Sequence, residues 1–292
     1  MRRERKGGPV AVAAACAAVV LTTVTATGCS GRDAAAAGRS AAEARAVVRE
    51  AAEVLVRSGT SRARTAVEMN SGGTRVTIRG AGVFDYGERV GRLRLVLPDE
   101  ATGEGARRPI VELVTPGALY MRNRGAGVPD GTWVRVDTTT LPDGNLVTGG
   151  ATDPISAAEL LRGARSVSFR GEERLYGETV RHYRGTADLT VAARLAEPRW
   201  RGQLTAAAEG LIHRAVPFEA YVDERGRLRK VRYRFAFPHP GGGAPAGGRG
   251  GEATVGPTVS VVSTTVLHDF GVPVRVGLPG PGDIYTGRVA VP

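Results

Sequence analysis

Histidines, acidic pairs and lysines are the side chains that could support catalysis or metal binding in this 292-residue chain. The four histidines lie far apart, and none stands two or four positions from another: His182, His213, His239 and His268. Metal sites usually combine a local pair of ligands with a distant one, so the sequence predicts no metal site. The acidic pairs Glu172-Glu173 and Asp223-Glu224 fall in predicted turns, where solvated loop ends are the simpler interpretation.

Motifs for nucleophilic and nucleotide chemistry are also missing from the sequence. There is no Gly-x-Ser-x-Gly elbow of the kind that serine hydrolases use. Neither lysine, Lys6 or Lys230, stands in the Gly-Lys-Ser/Thr context of a phosphate-binding loop. We therefore predict a protein that is not an enzyme and needs no cofactor.

Cys29 is the residue with the most specific chemistry. It follows Ala26-Thr27-Gly28, an apolar stretch that begins at Pro9, and a basic N-terminus. This order of charged, apolar and small-residue segments is typical of a secretory signal peptide. The Gly-Cys ending resembles a bacterial lipobox. That resemblance implies cleavage before Cys29 and acylation of its thiol, for example with palmitate.

Two alternatives remain open for this segment. The third position before Cys29 is Ala26 instead of the usual Leu, which leaves a plain secretory signal with an incidental cysteine. The stretch 9–27 is also about long enough to span a bilayer, although its Ala- and Thr-rich composition favours a cleaved signal. We expect a signal peptide over 1–28, a flexible tether over 29–39 and a single domain over 40–292. The lipid anchor would hold this domain at the extracytoplasmic face of the cell membrane.

Composition narrows the partners that the domain could have. The net charge is +11, and nearly all of the positive charge is arginine. Abundant arginine, alanine and glycine are typical of a GC-rich genome, such as that of an actinobacterium. Because the arginines are spread along predicted strands, we expect anionic lipid headgroups and no nucleic acid as the acidic partner. Cys16 lies within the signal, so the mature domain can form no internal disulfide.

Hydrophobic periodicity predicts an α+β fold. An amphipathic helix is expected over about 41–58, and further helical regions over 153–163 and 189–214, the last broken at Pro198. Elsewhere the alternation predicts a mostly antiparallel sheet of about 10–11 strands. Charged and aliphatic residues alternate in Arg92-Leu93-Arg94-Leu95, as in a sheet with one wet and one dry face. The stretch 239–256 is a Gly/Pro-rich loop.

Three segments, in order along the chain, resemble the LppX/LprG family of actinobacterial lipoproteins, within the wider LolA/LolB-like group. They are ALYMR (118–122) with GTWVRVD (131–137), the region 160–188 with HYRGT (182–186), and AYVD (220–223) with GRLRKV (226–231). The resemblance implies a curved half-barrel sheet with helices packed on its concave face. It also implies that acyl chains of lipids or glycolipids are held between sheet and helices, with no single motif for the ligand residues.

We therefore predict an apolar cavity that binds or transfers a lipid or glycolipid. The residues predicted to line it are Val83, Leu93, Leu95, Leu119, Trp133, Leu161, Val231, Tyr233 and Phe235. A solid core with the same pattern is an open alternative, and it would make the domain a structural envelope lipoprotein. Another is a sensor or regulatory lipoprotein whose sheet binds a protein, such as a membrane-bound regulator or transporter. We expect a monomer.

Overall fold

Eleven strands form a single sheet in the computed structural model, which describes residues 30–71, 73–98, 108–124, 127–238 and 258–287. The strands are β1 Thr60–Ser71, β2 Thr74–Asp85, β3 Val90–Val96, β4 Ile110–Thr115, β5 Ala118–Arg122, β6 Trp133–Asp137, β7 Ala164–Leu175, β8 Glu178–Asp188, β9 Ala215–Asp223, β10 Leu228–Pro238 and β11 Thr258–His268. Two antiparallel meanders, β1 to β6 and β7 to β11, are joined by the antiparallel pairing of β1 with β11. The predicted large antiparallel sheet is confirmed.

Within the described residues, four α-helices accompany the sheet: α1 Ser30–Arg57, α2 Pro154–Leu160, α3 Leu189–Leu195 and α4 Pro198–Gly210. Asp153 caps α2 and Asp188 caps α3, because each carboxylate accepts hydrogen bonds from backbone amides of the first turn. Pro198 separates α3 from α4 as predicted, since proline has no amide proton to donate. Helix α1 begins at Ser30, well before the predicted start at about 41. It therefore includes residues that the sequence predicted as a flexible tether.

The sheet is open, and β6 and β7 form its two edges. Two glycines allow strands β2 and β3 to approach each other closely. A Cβ on Gly82 would lie 1.9 Å from the carbonyl oxygen of Arg92, and one on Gly91 would lie 2.1 Å from the ring of Phe84. A larger residue at Gly82 would push against the backbone of β3, and one at Gly91 would displace the ring of Phe84, so both positions require glycine.

The helices cover one side of the sheet, the concave side, which is called the inner face below. Helix α1 packs on β7 and on the turn Leu161–Gly163, while α2, α3 and α4 pack on one another and against the sheet. Their buried side chains, such as Val48, Leu55, Trp200 and Leu204, join the inner-face residues in one hydrophobic core. The opposite, outer face carries the charged residues of the same strands.

The segment 271–287 runs from the centre of the sheet to one edge. Its first residue, Gly271, donates its amide proton to the carbonyl of Thr60 on β1. Near its end, the Tyr285 amide donates to the carbonyl of Trp133 on β6 at 2.7 Å, and Ile284 forms a parallel bridge to the same residue. The segment therefore shields part of an edge strand whose backbone would otherwise be open to pairing.

Candidate functional site

Most of the residues predicted to line a cavity share the interior between the inner face and the helices. They are Leu93, Leu95, Leu119, Leu161, Val231, Tyr233 and Phe235, and each is almost fully buried in the same hydrophobic cluster. The alternation along each strand explains their common direction, because residues two apart point to the same face.

Val83 and Trp133 do not join this interior, and the prediction that they point inward is wrong. Val83 pairs with Arg92 across β2 and β3 on the outer face, whereas its neighbour Gly82 occupies the inner position. Trp133 pairs with Arg122, whose guanidinium carbon lies 4.9 Å from the ring centroid. Both are half-buried apolar residues at outer positions. Their bulk suggested the inner face, but strand register decides the direction of a side chain.

Small side chains dominate the helical layer that closes the interior. The buried alanines of α2, α3 and α4 include Ala157, Ala158, Ala192, Ala193, Ala207 and Ala208. Tyr233 makes a direct polar contact with this layer, because its hydroxyl donates to the carbonyl of Ala157 at 2.6 Å. Each buried methyl contributes only about 0.8 kcal/mol, so the alanine layer adheres to the sheet more weakly than a leucine layer would.

Arg162 ties the first two helices together. Its Nη1 lies 3.2 Å from Oε1 of Glu53 on α1, and its Nε lies 2.8 Å from Oε2 of Glu159 on α2. The same Glu159 oxygen accepts a hydrogen bond from the amide of Glu197, just before α4. The helices are thus linked to each other as well as to the sheet.

A strip of buried polar side chains crosses the apolar interior. This interior polar strip consists of Thr65, Glu112, Thr152, Asp153, Ser263 and Thr265. The hydroxyl oxygens of Thr152 and Ser263 lie 2.7 Å apart, and the Thr265 hydroxyl donates to the carbonyl of Thr152 at 3.0 Å. These bonds fasten the segment that precedes α2 to strand β11.

Three oxygen atoms of the interior polar strip have no hydrogen-bond partner among the described residues. They are Oγ1 of Thr65, Oε1 of Glu112 and Oδ2 of Asp153. Asp153 uses its other oxygen to cap α2. A Cβ built on Gly149 would lie 3.1 Å from Oε1 of Glu112, so this oxygen sits against the loop before α2. Buried polar atoms are nearly always partnered in folded proteins, so these oxygens mark a place for a hydrogen-bond donor.

Burial controls the charge of the strip. It raises the pKa of the Glu112 carboxyl to about 8, while Arg124 opposes the rise and Asp153 adds to it. Burial likewise raises the pKa of Asp153, against the hydrogen bonds from the first turn of α2. Near neutral pH, Glu112 is therefore mostly protonated and able both to donate and to accept. Such a strip can bind neutral polar groups without burying a charge.

Glu112 was not among the predicted site residues, although the sequence carries a signal for it. It stands alone in the apolar run Ile110-Val111-Glu112-Leu113-Val114, and the whole of β4 is buried. A single carboxyl in such a strand either has a buried partner or stays protonated.

A groove of about 460 Å³ opens at the rim of the interior, between α1 and the turn that links β9 to β10. Val47 and Val54 of α1 line it together with Arg181, Arg225 and Arg227. Val47 also packs against the hydrophobic core, so the groove adjoins the interior. The Nε atom of Arg181 is buried there and has no hydrogen-bond partner among the described residues.

No group of three or more His, Cys, Asp or Glu residues in the described ranges could hold a metal ion. His182 and His268 lie on the outer face, where His182 stacks on Tyr221 with ring centroids 4.3 Å apart. The described helices include none that is both long and apolar enough to cross a membrane.

Solved bacterial structures resemble this fold. Lipoprotein LppX of Mycobacterium tuberculosis is 13% identical with a TM-score of 0.44, over 81% of this chain and 99% of that chain. LprF of Mycobacterium bovis is 11% identical with a TM-score of 0.40, over 82% and 97% of the two chains. A LolA superfamily protein of Nitrosomonas europaea is 11% identical with a TM-score of 0.34, over 80% and 94%. No family model and no curated protein matches the chain. LppX and the LolA superfamily are also names that the sequence resemblance gave.

Proposed function

We propose that this chain binds one amphiphilic lipid between the inner face and the helices, and carries or presents it at the membrane. The observation that supports this proposal is the presence of unpartnered oxygens on Thr65, Glu112 and Asp153 inside an apolar, helix-covered interior. Acyl chains would lie along residues such as Leu95 and Phe235. Hydroxyl groups of a glycolipid or glycerol head would donate to the oxygens of the strip.

Entry of an acyl chain requires the helical layer to move off the sheet. Two of the direct polar ties are the bond from Tyr233 to Ala157 and the contact between Thr152 and Ser263. Each such hydrogen bond contributes about 1 kcal/mol net. A chain of about 15 methylenes that leaves water contributes on the order of 12 kcal/mol. Lipid burial is therefore large enough to offset the loss of several ties and alanine contacts.

The membrane anchor is part of the same proposal. Residues 1–28 and Cys29 lie outside the described residues, and we assign them as a signal peptide and an acylated first residue on the lipobox resemblance. Two acyl chains suffice for stable anchoring. The mass of the mature N-terminus checks this, and the change Cys29→Ala should leave the chain unacylated.

A reversible disulfide between the sheet and the segment before α2 tests the lipid site. The segment 30–292 contains every described strand and helix and no cysteine, so an introduced pair can form only one disulfide. The double variant T152C/S263C places two thiols where hydroxyl oxygens lie 2.7 Å apart, near the length of a disulfide. Uptake of a fluorescent fatty-acyl probe should fall at least about tenfold in the oxidised variant and recover on reduction.

The single variants T152C and S263C are the matched controls, since each removes one hydroxyl but cannot form the disulfide between the sheet and the segment before α2. They should take up the probe under both redox conditions. Equal uptake by the oxidised and reduced double variant would show that lipid does not enter beneath this segment. Solvent extraction of the chain from its native host, followed by mass spectrometry, identifies the ligand. Recovery of no lipid, together with no probe uptake, would refute the function.

A further inference from the structure

The outer face of the sheet carries cations in rows of directly paired residues. One row crosses five neighbouring strands from β3 to β10, and its members are Arg94, Ala81, Arg64, Val266 and Lys230. In the adjacent row, Arg79 on β2 and Arg232 on β10 are separated by Ala66 and Thr264. The cations alternate with small or aliphatic residues, so basic side chains recur across these strands.

Four arginines of the outer face form what we call the outer arginine array: Arg64, Arg79, Arg92 and Arg94, on β1, β2 and β3. All four are exposed. Within the described ranges, none of them forms an ion pair with a carboxylate. The neighbouring acids Glu68, Glu219 and Asp269 are paired with other arginines, namely Arg75, Arg234 and Arg62.

The array does not stabilise the fold by itself. Neighbouring strands lie about 4.8 Å apart, so Arg94 and Arg64, two strands apart, are separated by about 10 Å at their backbones. Like charges at that distance repel, although salt screens them. An array of this kind gains favourable energy only when a negatively charged partner faces it.

We propose that the outer arginine array docks the domain onto an anionic phospholipid bilayer. A protein partner would require a central apolar or aromatic cluster, but the residues paired with these arginines are scattered small or aliphatic side chains, such as Ala81, Val83 and Val96. The array is spread over three strands, so its guanidinium groups face a layer of phosphates better than a single small anion. A bilayer supplies a layer of phosphates, which guanidinium groups bind through paired donors. This inference is independent of what the interior binds.

The test is cosedimentation of the segment 30–292 with phosphatidylcholine vesicles, with and without phosphatidylglycerol. The variant R64Q/R79Q/R92Q/R94Q removes the array. The matched control R194Q/R199Q/R201Q/R214Q removes the same charge from exposed arginines on the helical side of the molecule. Thermal unfolding of each variant shows that it is folded.

Each arginine near an anionic surface strengthens binding by about fivefold. The array variant lacks four such arginines and should therefore bind phosphatidylglycerol vesicles about 600-fold more weakly than the unaltered segment, while the control should stay within about fivefold. Equal losses in both variants would show that only net charge matters and would overturn the proposal. Binding that ignores phosphatidylglycerol would overturn it too. So would binding of inorganic polyphosphate without binding of vesicles, which would assign the face to an acidic polymer.

Discussion

Strand β3 presents two opposite environments within four residues. Leu93 and Leu95 point to the inner face and are 0% exposed beneath the helices, while Arg92 and Arg94 point outward and are exposed. Strand β10 repeats the contrast, with aromatic residues inside and basic residues outside. A single alternation in sequence therefore builds a dry face and a charged face on one sheet.

The two faces also differ in the polar groups that they leave without partners. Inside, the unpartnered atoms of the described residues include the oxygens of Glu112 and Asp153, beside the indole Nε1 of Trp200. Outside, they are the guanidinium donors of residues such as Arg64 and Arg94. Burial disfavours charge on the inner carboxyls, whereas water and salt keep the outer arginines charged. The inner face is thus suited to neutral hydroxyls, and the outer face to phosphate.

Neighbouring residues on β10 give the largest contrast. The change Phe235→Ala removes a buried ring from the core and should lower the free energy of unfolding by about 3–5 kcal/mol. The change Arg234→Ala, one residue away on the outer face, removes an exposed guanidinium that lies 3.9 Å from the half-buried carboxylate of Glu219. It should alter the free energy of unfolding by less than about 0.5 kcal/mol. Urea unfolding of both variants measures the difference.

A small loss for Phe235→Ala would mean that the interior is loosely packed and already open to solvent or ligand. In that case the same variant should bind an acyl probe more tightly. An equal loss for both variants would break the distinction between the faces.

The pH dependence of stability sharpens the comparison at the interior polar strip. The pKa of Glu112 is about 8 in the fold, above the ordinary value of 4.5. The folded state therefore holds the Glu112 proton more tightly than the unfolded state does. The stability that the protonated carboxyl contributes is fully present below about pH 4.5 and is lost as the pH rises to about 8. The change Glu112→Gln keeps the shape but does not ionise.

The stability of Glu112→Gln relative to the unaltered chain should therefore grow with pH. The gain should approach about 1.4 kcal/mol for each pH unit within that window, up to a few kcal/mol at pH 8. Urea unfolding at several pH values measures it, and taking the difference cancels groups common to both chains. A difference that stays constant with pH would place Glu112 in contact with water, in conflict with an enclosed inner face.

Local patterns were enough to predict several elements of this fold. The break at Pro198, the helix that begins at about 153 and the alternation around Leu93 depend on neighbouring residues only, and the structure has all three. The start of α1 was less predictable. Alanine-rich segments form helix readily but carry no apolar periodicity, so residues before 41 were predicted as a tether.

Features set by distant residues were not predicted. Trp133 points outward because β6 pairs with β5 in a register that turns Val134 and Val136 inward. Val83 points outward because its neighbours Gly82 and Phe84 occupy inner positions of β2. The neighbours of Glu112, such as Gly149 and Asp153, come from a loop far along the chain. Sequence periodicity contains no information on such contacts.

The smallest expected effect concerns the outer arginine array and tests whether its charges repel. The change Arg94→Gln removes one exposed cation that faces Arg64 across Ala81. At a separation of about 10 Å, comparable with the Debye length at about 0.1 M salt, relief of repulsion should raise the free energy of unfolding by no more than about 0.5 kcal/mol. At about 1 M salt the gain should vanish, because screening then acts over about 3 Å. A loss of stability that persists in high salt would mean that Arg94 packs against the sheet through its methylenes, as buried residues do. The outer face would then differ less from the inner face than the exposure of its arginines indicates.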